Sequence, residues 1–181
     1  MRNRLAIVAL AGLSFATSAN ASDLFKSWNV NAGVFFPQSR TLKDAFGSDW
    51  INFGVSPNRK PDRHGWLVSP DFNVIYNDSR GNRILILPLS LGVANRTKVE
   101  GSDWTPYFAA RVGVAYTDYR IDVAPGSRLR NNDWVPNANL EAGAIYKDSF
   151  RLRARYDWYG KSKGLLFDGL SLTASWTAIR F

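Results

Sequence analysis

The sequence has no cysteine, a single histidine and a single methionine among its 181 residues. Without cysteine there is no disulfide scaffold, no thiolate zinc site and no thiol nucleophile. One histidine, His64, excludes a metal site built from several imidazoles. Beyond residue 16 no apolar run approaches the ~20 residues that a membrane-spanning helix needs. Disorder is excluded from the other side, since 45% of the chain is hydrophobic, 14% aromatic and only 21% charged. One domain is expected at this length. The formal charge of +8 is of the sign that suits nucleic acid or a membrane surface.

What is present begins with an address. Arg2 and Arg4 make a basic start, Leu5 to Ala16 is almost wholly apolar, and Ala19-Asn20-Ala21 is a small-residue cleavage pattern. These are the three regions of a secretory signal peptide, here 1–21, which leaves 22–181 as the mature domain. A buried core helix is the alternative for so short an apolar run, but it does not explain the basic start or the small-residue exit.

The mature chain alternates with period two. Trp66, Val68, Pro70, Phe72, Val74 and Tyr76 interleave with Ser69, Asp71 and Asn73. Leu85, Leu87, Leu89, Leu91 and Val93 interleave with Pro88, Ser90 and Gly92, and Phe108 to Tyr116 alternate with Ala109, Arg111, Gly113 and Ala115. Phe150, Leu152, Ala154, Tyr156 and Trp158 interleave with Arg151, Arg153, Arg155 and Asp157. Strict alternation marks strands, so the chain reads as all-β with little room for helices.

These rows are about twice the ~5–6 residues of an ordinary strand and match the ~9–11 of a tilted membrane-spanning one. Aromatic residues close them at both ends: Trp66 and Tyr76, Trp134 and Tyr146, Phe150 and Trp158. Ten residues rise about 33 Å, or about 25 Å along the normal at a tilt of ~40°, the height of the apolar band of a transmembrane barrel. A soluble lipocalin-like barrel would point the same apolar row inward, around a greasy ligand. It would then crowd Trp66, Phe72, Tyr76, Trp134, Phe150, Tyr156 and Trp158 into a narrow lumen while glycine and alanine faced out. Large apolar residues toward lipid is the better fit.

Eight strands are expected, at about 27–37, 49–56, 65–76, 83–94, 104–120, 132–146, 149–159 and 165–181. The weakest is the second, resting on Trp50-Ile51-Asn52-Phe53-Gly54-Val55. An even count with periplasmic termini puts links 38–48, 77–82, 121–131 and 160–164 outside, and 57–64, 95–103 and 147–148 in the periplasm. The fold expected is therefore an eight-stranded antiparallel up-and-down transmembrane β-barrel.

The signal peptide, Asn31-Ala32-Gly33-Val34-Phe35-Phe36, the Gly/Ala-rich middle strands and the terminal Phe181 together resemble the small bacterial outer-membrane barrels of the OmpA/OmpX kind. The resemblance covers 27–181. It implies the outer membrane as location, a monomer, no cofactor, and as partners outer-membrane lipid, lipopolysaccharide and the assembly machinery, with no nucleic acid. Trp176 and Phe181 look like the C-terminal signal which that machinery reads. One departure stands out: Leu170, Leu172, Ala174, Trp176 and Ala178 form the apolar row, out of phase with Phe181, so a bulge near Thr177 is expected or the signal is imperfect. The resemblance implies a structural or surface-recognition role. A narrow anion-preferring pore and a lipid A-modifying enzyme remain as alternatives. Barrel enzymes acting on lipid A depend on a histidine paired with serine or an acid; His64 falls at the periplasmic end, in Pro61-Asp62-Arg63-His64-Gly65, so catalysis is not expected. Calcium at Asn77-Asp78 is explained away by turn propensity.

Alternation projects Asp71, Arg111, Glu141, Arg151, Arg153, Arg155 and Asp157 into the lumen, with Asn73, Asn137, Asn139 and Tyr159. Facing lipid at midplane, each arginine would cost about 2–4 kcal/mol. Inside, they must be paired, as a hydrogen-bonded plug or around a wet lumen. Arg153 is expected deepest, beside Glu141, because pairing about Lys147-Asp148 sets residues opposite when their numbers sum to about 295. Arg40, Lys43, Arg80, Arg128, Arg130, Lys161 and Lys163 form a basic outer rim against Asp44, Asp78 and Asp122, suited to lipopolysaccharide phosphates. A merely solubilising rim is the competing reading, since Arg59, Lys60, Arg63, Arg96 and Lys98 make the other end basic as well.

Overall fold

A computed structural model describes residues 27–58, 64–124 and 127–180. The expected signal peptide, the loop arginines at 59 and 63, and Phe181 lie outside the described residues. The strands are β1 (Ser27–Pro37), β2 (Trp50–Pro57), β3 (Trp66–Val68), β4 (Asp71–Ser79), β5 (Asn82–Arg96), β6 (Trp104–Ala124), β7 (Ser127–Tyr146), β8 (Phe150–Tyr159) and β9 (Gly169–Arg180). The order β3-β5-β4-β2-β1-β9-β8-β7-β6, with β5 also paired to β6, closes the sheet into a barrel. β3 and β4 keep one register against β5, Val68 opposite Val93 and Asp71 opposite Ser90. They are one barrel strand interrupted at Ser69-Pro70, where proline has no N–H to give the ladder. The barrel is therefore eight-stranded, antiparallel throughout, and the doubtful second strand is real: Trp50 to Pro57 pairs with β1 over its whole length.

The faces fall as alternation requires. Ile51, Phe53, Val68, Leu91, Val93, Phe108, Val112, Val114, Leu140, Leu152 and Leu172 are exposed on the outside, while Asp71, Arg111, Glu141, Arg153, Arg155 and Asp157 are buried. A water-soluble protein does not bare a continuous apolar belt and bury its charges; a barrel in lipid does. The lipocalin-like alternative is thereby overturned. Aromatic pairs bound the belt. Trp66 with Phe108 (5.7 Å) and Trp104 with Tyr146 (5.0 Å) lie near the end that carries the strand termini. Tyr116 with Trp134 (5.4 Å) and Tyr156 with Trp158 (4.7 Å) lie near the opposite, loop end.

Several expected boundaries are corrected. The link at 77–82 shrinks to Arg80-Gly81, both at positive φ (54° and 78°), as a type I′ hairpin turn demands. The link at 147–148 gains Ser149, so opposite residues sum to 296 and Glu141 faces Arg155. The expected loop 121–131 is mostly strand: β6 and β7 continue as a hairpin to Ala124 and Ser127, with Asp122 and Arg128 paired across it. The last strand starts at Gly169, not 165. Its bulge is confirmed, since Asn29 faces Thr177 whereas Trp28 faces Ile179, leaving Ala178 as the extra residue.

The expected external link 38–48 contains a short helix, α1 (Arg40–Phe46), which sequence reading did not foresee. Its Leu42 and Phe46 are buried. They top an apolar cluster of Phe35, Trp50, Ile75, Ile84, Ile86, Tyr119, Ile121, Val135, Tyr159 and Phe167 that fills the loop end of the lumen. Four successive carbonyls at the helix C-terminus each accept from a side chain. Arg80 donates to Asp44 O (2.9 Å), Asn82 to Ala45 O (2.8 Å), Ser79 to Phe46 O (2.7 Å) and Trp50 Nε1 to Gly47 O (3.1 Å). The β4–β5 turn thus pins the helix across the barrel mouth, satisfying carbonyls that a helix end otherwise leaves open.

Candidate functional site

The lumen has two layers because the inward-facing row of each strand changes character along its length. On β4 Asp71 and Asn73 give way to Ile75; on β7 Val135 gives way to Asn137, Asn139 and Glu141. The apolar layer occupies the loop end and the charged layer the middle.

Arg153 is the crossbar of the charged layer. From β8 it reaches β4, four strands round the barrel, where Nη1 donates to Asp71 Oδ1 (3.3 Å) and Nη2 to Asn73 Oδ1 (3.1 Å). The same Nη1 donates to Glu141 Oε2 (3.2 Å), and Nε donates to Thr173 Oγ1 (2.5 Å) on the neighbouring strand. Arg155 donates to Asp71 Oδ2 (2.6 Å) and Asp157 Oδ2 (2.9 Å). Arg111 completes the ring, donating to Glu141 Oε2 (3.0 Å), Asn139 Oδ1 (3.2 Å) and Ser69 Oγ (2.8 Å). The Tyr107 hydroxyl donates to Glu141 Oε1 (2.8 Å), and the Asn73 amide donates to Asp71. Gly143, opposite Tyr107, is needed here: a Cβ would stand 2.8 Å from the tyrosine ring.

The structure therefore brings together six of the seven projected lumen charges as one network. Arg151 stands apart, with its guanidinium 5.0 Å from the Tyr107 ring centroid. The expected Arg153–Glu141 contact is present, and Glu141 also serves Arg111. Sequence reading missed Asp71 as the acid that two arginines share, because strand pairing says nothing about contacts across a lumen. It also missed the apolar layer, though Ile84, Ile86, Tyr119, Ile121 and Val135 carry its signal by being apolar in the inward phase.

The rim residues all lie at the loop end, but they do different jobs. Arg80 is spent on the helix carbonyl of Asp44, and Arg128 closes onto Asp122 (2.6 Å). Arg40 lies 3.9 Å from Asp44 on the helix. Lys43, Arg130, Lys161 and Lys163 are exposed. His64 sits at the terminal end, where its carbonyl accepts from Asn95 (3.2 Å). Asn77 and Asp78 are engaged as hydrogen-bond partners of Asp49, Ser79 and Tyr76.

No family model matches the chain, and no curated protein matches it in sequence. Solved structures do match in shape. Neisserial surface protein A is 13% identical with a TM-score of 0.61, over 86% of this chain and 96% of that one. Ail, the attachment invasion locus protein of Yersinia pestis, is 9% identical at 0.57, over 83% and 95%. The outer membrane enzyme PagL is 13% identical at 0.55, over 83% and 99%. The chain has the fold of the small eight-stranded outer-membrane barrels. That fold carries surface proteins and at least one enzyme alike, so it does not by itself assign an activity.

Proposed function

We propose that the protein is a non-enzymatic outer-membrane barrel with a structural or surface-recognition role, displaying its loop end outside the cell and conducting no solute. The observation that carries this is the doubly closed lumen. Arg153 and Arg155 bridge the charged layer from wall to wall, and Leu42, Phe46 and Phe167 close the mouth above it. The lumen carboxylates Asp71, Glu141 and Asp157 are each engaged by arginine, and His64 lies at the terminal end, which does not favour acid–base chemistry near the outer leaflet. The long β6–β7 hairpin and the helix give the loop end a rigid surface on which recognition residues stand. The same shape in Neisserial surface protein A and Ail supports this reading. Refolded into planar bilayers, the chain is expected to show no conductance steps above background. Regular steps with anion preference would overturn the closed-lumen reading in favour of a narrow pore.

A further inference from the structure

Below its apolar layer the lumen holds more positive than negative charge. Among the described residues, five arginines (Arg96, Arg111, Arg151, Arg153 and Arg155) occupy inward positions against three carboxylates (Asp71, Glu141 and Asp157), which leaves two positive charges over. The network around Arg153 uses three of the arginines and all three carboxylates. The surplus is therefore local: Arg151 on β8 and Arg96 on β5, both toward the terminal end. The two share one place. Arg96 lies directly opposite Tyr107 on β6, and the Arg151 guanidinium stands 5.0 Å from the centre of the Tyr107 ring. They are close enough to repel each other. Two carboxylates act on them, but only from a distance. Asp148 pulls on Arg96 from an exposed turn, and Glu141 pulls on Arg151 while bonded to Arg111, Arg153 and Tyr107. Neither arginine makes an ion pair or donates a hydrogen bond among the described residues.

The wall beside Arg151 repeats the pattern. Ser175 on β9 is directly opposite Arg151, and Asn31 on β1 is directly opposite Ser175. Asn31 and Ser175 are fully buried and Arg151 is only 8% exposed. Yet Arg151 Nε, Ser175 Oγ and both amide atoms of Asn31 have no hydrogen-bond partner. Two residues further along the same strands the equivalent pair is joined, with Arg153 donating to Thr173. Polar groups this deeply buried are normally bonded, and a buried charge is normally paired. The set calls for a partner that accepts from arginine forks, balances two positive charges, and exchanges hydrogen bonds with a hydroxyl and a carboxamide. A phosphate dianion meets all three requirements, whereas a single carboxylate or chloride supplies half the charge.

We propose that Arg151 and Arg96 bind a phosphate dianion, inorganic phosphate or a phosphomonoester, at the terminal end of the lumen, with Ser175 and Asn31 beside it. Arg96 is half-buried, so the ligand enters from that end. The charged network and the apolar layer lie above it, which makes the site a blind cup rather than a step in a pore. The site goes beyond the closed-lumen reading.

The full chain is refolded in octyl glucoside free of phosphate and titrated by isothermal calorimetry at mildly alkaline pH, where the phosphate dianion dominates. Sodium phosphate is expected to bind saturably, one per barrel, at least about tenfold tighter than acetate or chloride, since one charge-assisted hydrogen bond is worth that factor. Glycerol 3-phosphate separates the two sources: binding as tight as that of phosphate assigns a phosphomonoester, and binding of phosphate alone assigns the free ion. Arg151→Gln and Arg96→Gln, neither of which breaks an ion pair, are each expected to weaken phosphate at least about tenfold. Ser175→Ala is expected to weaken it less. Lys161→Gln with Lys163→Gln, exposed at the opposite end, is expected to change nothing. If Arg151→Gln does not fold, Arg96→Gln at the half-buried position decides. Phosphate affinity unchanged in the arginine variants, or no preference over acetate and chloride, overturns the site. Absence of binding by folded wild type overturns it too and leaves the closed lumen standing. Conductance steps in planar bilayers, with phosphate binding intact, would overturn the closed lumen and leave the phosphate site standing.

Discussion

Arg153→Ala is expected to lower the unfolding free energy of the protein in lipid vesicles by about 3 kcal/mol or more. Breaking a buried ion pair typically costs about 3–5 kcal/mol because the partner charge is stranded. Here Asp71 keeps Arg155 at 2.6 Å and Glu141 keeps Arg111 at 3.0 Å, which places the loss toward the lower end. Against that, the substitution removes four hydrogen bonds at once, including those to Asn73 and Thr173. The wall-to-wall connection between β8 and β4 then rests on Arg155 alone. Urea unfolding of Arg153→Ala, Glu141→Ala and the double variant is expected to give a coupling within the ~0.5–3 kcal/mol seen for contacting groups. His64→Ala, outside the network, is expected to stay within about 0.5 kcal/mol of wild type. Coupling below ~0.5 kcal/mol, or a His64 effect as large as that of Arg153, contradicts the crossbar.

Phe46→Ala is the second large effect, at about 3–5 kcal/mol, the usual cost of deleting a buried phenylalanine ring. Phe46 is 2% exposed and packs edge-on against Trp50 at 5.5 Å, and Trp50 in turn meets Phe35 at 5.4 Å. The cavity falls at the mouth, so the helix should loosen before the barrel does. Hydrogen exchange is expected to accelerate at Lys43 and Gly47, whose N–H groups donate to Ser39 O and Lys43 O, while β8 stays protected. A loss under about 1 kcal/mol with unchanged exchange would mean that the helix does not seal the lumen.

The difference between the two layers is also a difference in what sequence can reveal. The outward rows were legible because lipid imposes one requirement on every alternate residue. Even the short segment from Trp50 to Val55 obeyed it. The Arg153–Glu141 contact was legible because a short turn fixes neighbours on adjacent strands, although the added Ser149 moved the register by one. Asp71 was legible as a lumen residue but not as the partner of Arg153 and Arg155, because barrel closure, not pairing, brings β4 across from β8. The helix escaped for another reason. Seven residues carrying Leu42 and Phe46 one turn apart are too few for a periodic signal, and the side chains that hold its C-terminal carbonyls include Ser79, Arg80 and Asn82, far away in sequence. The continued β6–β7 hairpin escaped because its apolar row reverses phase: Ile121 and Leu129 face the lumen while Arg120, Asp122, Arg128 and Arg130 face outward, opposite to the rows that meet lipid.

The account stands on which way β6 faces, and the absence of cysteine makes that directly measurable, since each introduced thiol is unique. Single cysteines at Ala109, Ala110, Val112, Val114 and Ala115 are labelled in vesicles with a fluorophore and challenged with a lipid-dissolved quencher and a water-soluble thiol reagent. Positions 110, 112 and 114 are expected to be quenched from the lipid. Positions 109 and 115, which are 1% and 0% exposed, are expected to resist both. Quenching at 109 and 115 instead of their neighbours, or free reaction of either with the water-soluble reagent, would contradict an apolar exterior around a closed lumen.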